Sequence, residues 1–294
     1  MPSASPEECA GHQSFLRTGP ETTLNARTPM ERPACMEPAT DAHPVFPAPD
    51  LRPEITSRLQ DWPRFTALAV RIDLPAEATE NSAVHAALAG FLDTIAKESG
   101  GVCFPWDSAL YGCAFPEMDK EAAESMAQRI QTDLAQSRVE TVSIGISGFP
   151  LLDGDPADAL GNACKALDHA AFFGPGRIVA LDAVSLNISG DHLYQTGHLD
   201  AAIEEYRAAL RLDPANANVH NSLGVCLAQK EDHGGARAAF ETAQRLDPNE
   251  AMAVYNQGVL CLLDEKPAEA LAWFRQAYAV DPRTFEIPFQ IGKL

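Results

Sequence analysis

The sequence predicts two folded parts in series: an α/β domain, then an all-α array of helical hairpins. Three observations carry that prediction. Residues 61–182 alternate strand-like and helix-like segments. Residues 183–294 repeat themselves with a period of 34. Residues 1–60 are rich in proline and read as a disordered leader outside both parts.

In the leader, prolines recur from Pro2 to Pro53 and the aromatics are limited to Phe15 and Phe46. Such a stretch buries too little apolar surface to offset its ordering entropy. Order is expected from Trp62 onward. Phe65–Ile72 reads as a strand and Ser82–Lys97 as an amphipathic helix. Val102–Pro116 reads as two strands, or one hairpin turning near Trp106-Asp107-Ser108. Glu121–Gln136 is a second helix, Val142–Ser147 a strand and Pro156–Phe172 a third helix. Gly174-Pro175-Gly176 then turns the chain into a last strand, Arg177–Leu181.

The repeat follows. Pro214, Pro248 and Pro282 stand 34 apart. Before each, at fixed offsets, come Leu212, Leu246 and Val280, then Ala209, Ala243 and Ala277. Further back are Tyr206, Phe240 and Phe274, then Ala202, Ala236 and Ala270. Gly190, Gly224 and Gly258 complete the register, and Gly292 begins a fourth copy. The units are about 183–216, 217–250 and 251–284, with a partial fourth at 285–294. Ala202, Tyr206, Ala209 and Leu210 fall on one helix face, where alanine admits a close neighbour and the aromatic fills the gap behind it. Asp213-Pro214 and its two equivalents end each second helix, because the residue before proline leaves the α region. Glycine inside a helix costs about 1 kcal/mol against alanine, so its recurrence points to a facing helix that needs the space.

Net charge is −19, and 46% of residues are hydrophobic. Nucleic acid and anionic membrane surfaces are therefore poor partners. No apolar run reaches the length of a spanning helix, and no basic-then-apolar signal opens the chain, so the expectation is a cytoplasmic protein without membrane insertion. Seven cysteines form no CxxC and read as reduced, mostly buried thiols. The eight histidines make no cluster of zinc-site spacing, and neither metal nor cofactor is expected.

The 34-residue pattern resembles the tetratricopeptide (TPR) family of helix–turn–helix repeats over about residues 183–294. That resemblance implies a concave face, built from the first helix of each pair, that binds a peptide or partner domain. Its lining would be Asn187, Asp191 and Tyr194, then Asn218, Asn221 and Gln229, then Met252, Tyr255 and Val259. None of these is basic, so the groove should take uncharged, apolar or basic segments rather than acidic tails. The apolar residues Phe285, Ile287, Phe289 and Ile291 form a further first helix, read either as a loose tail or as a surface for a homodimer or a docked partner.

A second resemblance covers residues 61–182. Val142-Ser143-Ile144-Gly145-Ile146, a helix with Ala163, Ala166-Leu167 and Ala170, then Gly174 and Arg177-Ile178-Val179 are similar to the end of a GGDEF (diguanylate cyclase) domain. Tyr111–Pro116 resembles the strand after that family's signature hairpin, and Leu92 with Ile95-Ala96 its first helix. The fold implied is nucleotide-cyclase-like α/β, in a bacterial signal-transduction setting. The chemistry is missing. The hairpin aligns with Asp107-Ser108-Ala109-Leu110-Tyr111, which lacks the glycines, and its two acidic places are Ala109 and Leu110. The metal-binding D-x-D reads Arg71-Ile72-Asp73, the phosphate-contacting lysine is Ala171, and the acid near the start of the closing helix is Cys164. Magnesium takes hard oxygen ligands, and nothing here would gather two ions against a transferred phosphoryl group.

Single residues get plain roles. Asp107 and Asp119 read as turn and cap, Asp153 and Asp155 as turn and N-cap, and His85 and Trp273 as packing. The expected function is thus a non-enzymatic interaction protein with an inactive cyclase-like module. The alternative is a regulator responding to a nucleotide or cyclic di-GMP.

Overall fold

The computed structural model describes residues 53–73, 82–106, 109–137 and 141–294. Most of the leader lies outside these. The described residues divide into two compact units, one ending at Ile188 and one running Ser189–Leu294.

The first unit is built on a sheet in the order β2-β3-β1-β4-β5. Its strands are β1 (Phe65–Asp73), β2 (Val102–Pro105), β3 (Leu110–Pro116), β4 (Thr141–Phe149) and β5 (Ile178–Ala180). All neighbours are antiparallel except β4 and β5. The helices are α1 (Pro53–Gln60), α2 (Ser82–Glu98), α3 (Lys120–Ser137) and α4 (Asp158–Ala171). The period-2 alternation of the strands serves two cores. Leu68, Val70 and Ile72 of β1 join Cys113, Phe115 and Ile144 under α2 and α3. Phe65, Ala67 and Ala69 join Phe104, Ala114 and the α4 residues Leu160, Ala163 and Leu167 on the other face.

Two expectations change here. Order begins before Trp62, because α1 seats Leu59 in the second core, with Ile55 and Trp62 packed against it. Those three recur at near-helical spacing inside a stretch whose prolines masked them. Nor are all the thiols reduced. Cys103 and Cys113 are direct partners on the β2–β3 ladder and form a disulfide. Directly opposed residues on antiparallel strands sit close enough to bond, a proximity set by register that spacing along the chain does not display. Cys164, Cys226 and Cys261 are buried thiols outside that disulfide, as expected.

The second unit continues α5 (Ala183–Gln195) into α6 (Leu199–Leu212), α7 (Ala217–Gln229), α8 (His233–Leu246), α9 (Ala251–Leu263), α10 (Pro267–Val280) and α11 (Glu286–Lys293). Each hairpin has the same close contact. A Cβ on Gly190, Gly224 or Gly258 would lie 2.5, 2.5 or 2.6 Å from the ring of Tyr206, Phe240 or Phe274. The aromatic fills the place of the missing side chain, which is why the two recur together. Each second helix ends at Asp213, Asp247 or Asp281 in an extended conformation, as the following proline requires. Each of these carboxylates also accepts the backbone N–H two residues on, at 3.2, 2.9 and 3.0 Å. No helix among the described residues is long and apolar enough to cross a membrane.

Candidate interaction groove

The predicted lining residues fall on one stripe per first helix. Asn187, Asp191 and Tyr194 are spaced i, i+4, i+7 on α5; Met252, Tyr255 and Val259 are spaced i, i+3, i+7 on α9. Asn218, Asn221 and Gln229 share a face of α7, the last being three turns on.

The structure divides these residues by exposure. Asn187, Asp191, Asn221, Met252, Tyr255 and Val259 are buried; Asn218 and Tyr194 are part-exposed, and Gln229 is exposed. Several are bound to one another across helices. Gln229 donates from Nε2 to the Tyr194 hydroxyl at 2.8 Å, linking α7 to α5. Asn256 of α9 donates from Nδ2 to Asn221 Oδ1 at 2.8 Å. The Tyr206 hydroxyl donates to Asp191 Oδ1 at 2.8 Å. Met252, Tyr255 and Val259 belong to the array's apolar core with Val225, Phe274 and Ile287, and Tyr255 packs 5.3 Å from Phe274.

Burial governs the electrostatics. It pushes the Asp191 carboxyl up to about 6, against the pull of hydrogen bonds from Tyr206 and Ser222. It also raises the Tyr206 phenol and pushes the Cys226 thiol up to about 12, with the Asp191 charge adding to both. Tyr255 is raised by burial too, partly offset by a hydrogen bond with Gln290 of α11.

Sequence reasoning placed Asp191 but missed what holds it. Tyr206 had been assigned by its repeat position to packing alone, although tyrosine among phenylalanines at an aromatic position signals a hydroxyl with a partner. It also missed a polar cluster in the first unit, in which His169 and Ser185 are buried and Asp182 is exposed. There His169 Nδ1 lies 3.0 Å from Ser185 Oγ, which donates to Asp182 Oδ1 at 2.8 Å. The three residue types suggest a hydrolytic triad, but Ser185 is wholly buried and its proton is held by Asp182. Asp182 also accepts the Ser185 N–H at 2.8 Å, so the cluster caps the start of α5.

The positions that the second resemblance singled out make structural contacts. Asp73 accepts from Ser143 Oγ at 2.8 Å, Thr141 Oγ1 at 2.9 Å and the Gly176 N–H at 2.7 Å, tying the end of β1 to β4 and to the turn before β5. Arg71 reaches Asp168 of α4 at 3.9 Å. Leu110 and Cys164 are core residues, and Ala171 is exposed at the end of α4. Asp107 lies outside the described residues. Asp119 caps α3 through the Ala122 N–H at 2.8 Å, as expected. Asp155 does not cap α4. Its own N–H is taken by Asp158 Oδ2 at 2.8 Å, because the helix starts two residues later than its prolines suggest.

The family model for the tetratricopeptide repeat matches residues 189–251 and 229–283. The C-terminal array is built of tetratricopeptide repeats. Among solved structures, this TPR array is similar to the first TPR domain of Spaghetti (RPAP3) bound to the HSP90 peptide SRMEEVD, at 20% identity, 38% of this chain, 89% of that chain and a TM-score of 0.36. It is similar to the second TPR domain of human RPAP3 in complex with the HSP70 peptide SGPTIEEVD, at 22% identity, 38% and 92% coverage and a TM-score of 0.36. YrrB, described as a TPR protein with an unusual peptide-binding site, is similar at 27% identity, 38% and 57% coverage and a TM-score of 0.34. No curated protein matches the chain.

Proposed function

We propose that the chain is a non-enzymatic interaction protein whose TPR array receives a peptide or partner segment along α5, α7 and α9. The reading is supported by the helical spacing of Asp191 and Tyr194, Asn218 and Gln229, and Met252, Tyr255 and Val259 on the first helices, with no lysine or arginine among them, and by the Gln229–Tyr194 hydrogen bond that links two of those helices. Tyr194 supplies a part-exposed aromatic ring and Gln229 and Asn218 a polar edge, backed by the buried Met252, Tyr255 and Asp191. The ligand chemistry that suits them is an apolar segment carrying a basic residue.

The first unit, in this proposal, is a degenerate GGDEF-type domain with a structural or regulatory role. Its support is the agreement in element order and the spent state of the retained acid, since Asp73 satisfies three donors of its own unit. At the far end, the exposed rings of Phe285 and Phe289, stacked 5.9 Å apart, favour a self-association surface on α11. Light scattering of the full chain with Phe285→Ser and Phe289→Ser tests that; equal mass with and without the changes removes it.

The groove is tested by fluorescence anisotropy of the full chain against labelled peptides. An apolar-basic series should bind more tightly than a series ending in acidic residues, and Tyr194→Ala with Gln229→Ala should weaken the former. Preference for the acidic series would overturn the reading.

A further inference from the structure

Four glycines hold the same place in the 34-residue register: Gly190, Gly224, Gly258 and Gly292. The first three are filled. A ring from the second helix of the same hairpin, Tyr206, Phe240 or Phe274, lies 2.5–2.6 Å from where a Cβ would stand. Gly292 is the exception, since nothing among the described residues lies within 4 Å of that point. The helix that bears it, α11, buries Ile287 in the core of the array and packs Ile291 against that core. At about 100° per residue, the opposite side carries Phe285, Phe289 and Gly292, all exposed. Phe285 is 66% and Phe289 52% exposed, against 0% for Phe240 and Phe274. Ring and notch, which each complete hairpin draws from two helices, here stand on one face of a single helix.

We propose that this face joins two copies of the chain: α11 pairs antiparallel with α11 of a second copy, and each Phe289 ring enters the notch over the other's Gly292. The pairing rests on the self-association reading above. A face with both the projection and the recess is self-complementary under a two-fold axis, which makes each contact twice. A partner of another kind would use one half of that pair and leave the other open. Charge agrees with the same axis. Glu286 and Lys293 stand two turns apart along one flank of the face. The antiparallel arrangement therefore brings each Glu286 towards the Lys293 of the second copy, whereas a parallel one would set like charges side by side. In the single copy Lys293 Nζ lies over the Phe289 ring at 5.4 Å, so it is already at the edge of the face. A helix of eight residues is about 12 Å long, so the interface is small and the dimer should dissociate on dilution.

Gly292→Leu separates packing between copies from packing within one. Within one copy the new side chain meets open space and leucine is the better helix former, so dilute protein should melt no lower than the parent. Between copies it fills the notch. Sedimentation velocity of the full chain over a dilution series should show a dimer in the parent, with a dissociation constant at least tenfold higher in Gly292→Leu. A parent that stays monomeric at every concentration removes the self-association reading and this pairing together. A dimer that Phe285→Ser with Phe289→Ser abolishes, but that Gly292→Leu leaves unchanged or tightens, keeps that reading and overturns the notch. Should dilute Gly292→Leu melt lower than the parent, a charge exchange decides instead. Glu286→Lys and Lys293→Glu should each weaken the dimer several-fold alone and restore it when the two chains are mixed in equal amounts. Single variants as tight as the parent, or a mixture no tighter than either alone, overturn the antiparallel pairing.

Discussion

Asp191 is the residue at which packing and charge meet. Its carboxyl titrates near 3.8 in an unfolded chain and near 6 in the folded one, because burial disfavours the anion. Between those values the folded state holds a proton that the unfolded state has released. The stability it confers is therefore full below pH 3.8 and lost as pH rises through 6. Two pKa units correspond to about 3 kcal/mol. Asp191→Asn keeps an acceptor for Tyr206 and removes the titration, so the variant should be the more stable one at pH 7 and similar to the parent at pH 4. Urea midpoints at the two pH values check it; a variant less stable at pH 7 would mean that the ionised carboxylate is held by a cation. Asp73 makes the opposite case. It stands free of the core, yet three donors converge on it, and hydrogen bonds to a charged group contribute about 1.5–3 kcal/mol. Asp73→Ala should lower stability by about 2 kcal/mol, visible as an earlier denaturation midpoint.

At the scale of elements, two glycines on helices should respond with opposite sign to the same change. Gly161 of α4 has nothing within 4 Å of an added Cβ, so Gly161→Ala should stabilise by up to ~1 kcal/mol through helix propensity. Gly258 of α9 faces the Phe274 ring at 2.6 Å, and overpacking of that kind costs about 1–3 kcal/mol, which outweighs the propensity gain. Gly258→Ala should therefore destabilise, and paired thermal melts read both signs at once. The recurrence of Gly258 and of Phe274 was legible in advance because the 34-residue register repeats each three times, but that the ring fills the place of the glycine's missing side chain was not. The strands of the sheet were legible for a related reason, their alternation being local. What stayed hidden is non-local or carried by single polar atoms. The Cys103–Cys113 bond depends on the register of β2 against β3, and the fate of Asp73 depends on a turn a hundred residues away. The stripe could be listed from helical spacing, but its burial could not. Periodicity says which residues share a face and is silent on what lies against that face.

For the whole molecule, the question is whether the α/β unit that precedes the repeat array handles a nucleotide. Three features of different reach point the same way. The chain carries a net charge of −19, so it repels a triphosphate before any contact is made. Among the described residues no three His, Cys, Asp or Glu side chains gather where a metal ion could be held. At the positions that the resemblance assigns to metal ligands, Asp73 is engaged by Ser143, Thr141 and Gly176, and Arg71 faces Asp168. A divalent cation would have to strip three hydrogen bonds from Asp73 and take its place near a guanidinium, with Leu110 in the apolar core offering no second carboxylate. The purified full chain should therefore form no cyclic dinucleotide from GTP with magnesium or manganese, and calorimetric titration with GTP or cyclic di-GMP should give no binding heat. Product that disappeared on Asp73→Asn would restore a catalytic role to the first unit. Heat without product would instead make it a nucleotide sensor, and the array its output.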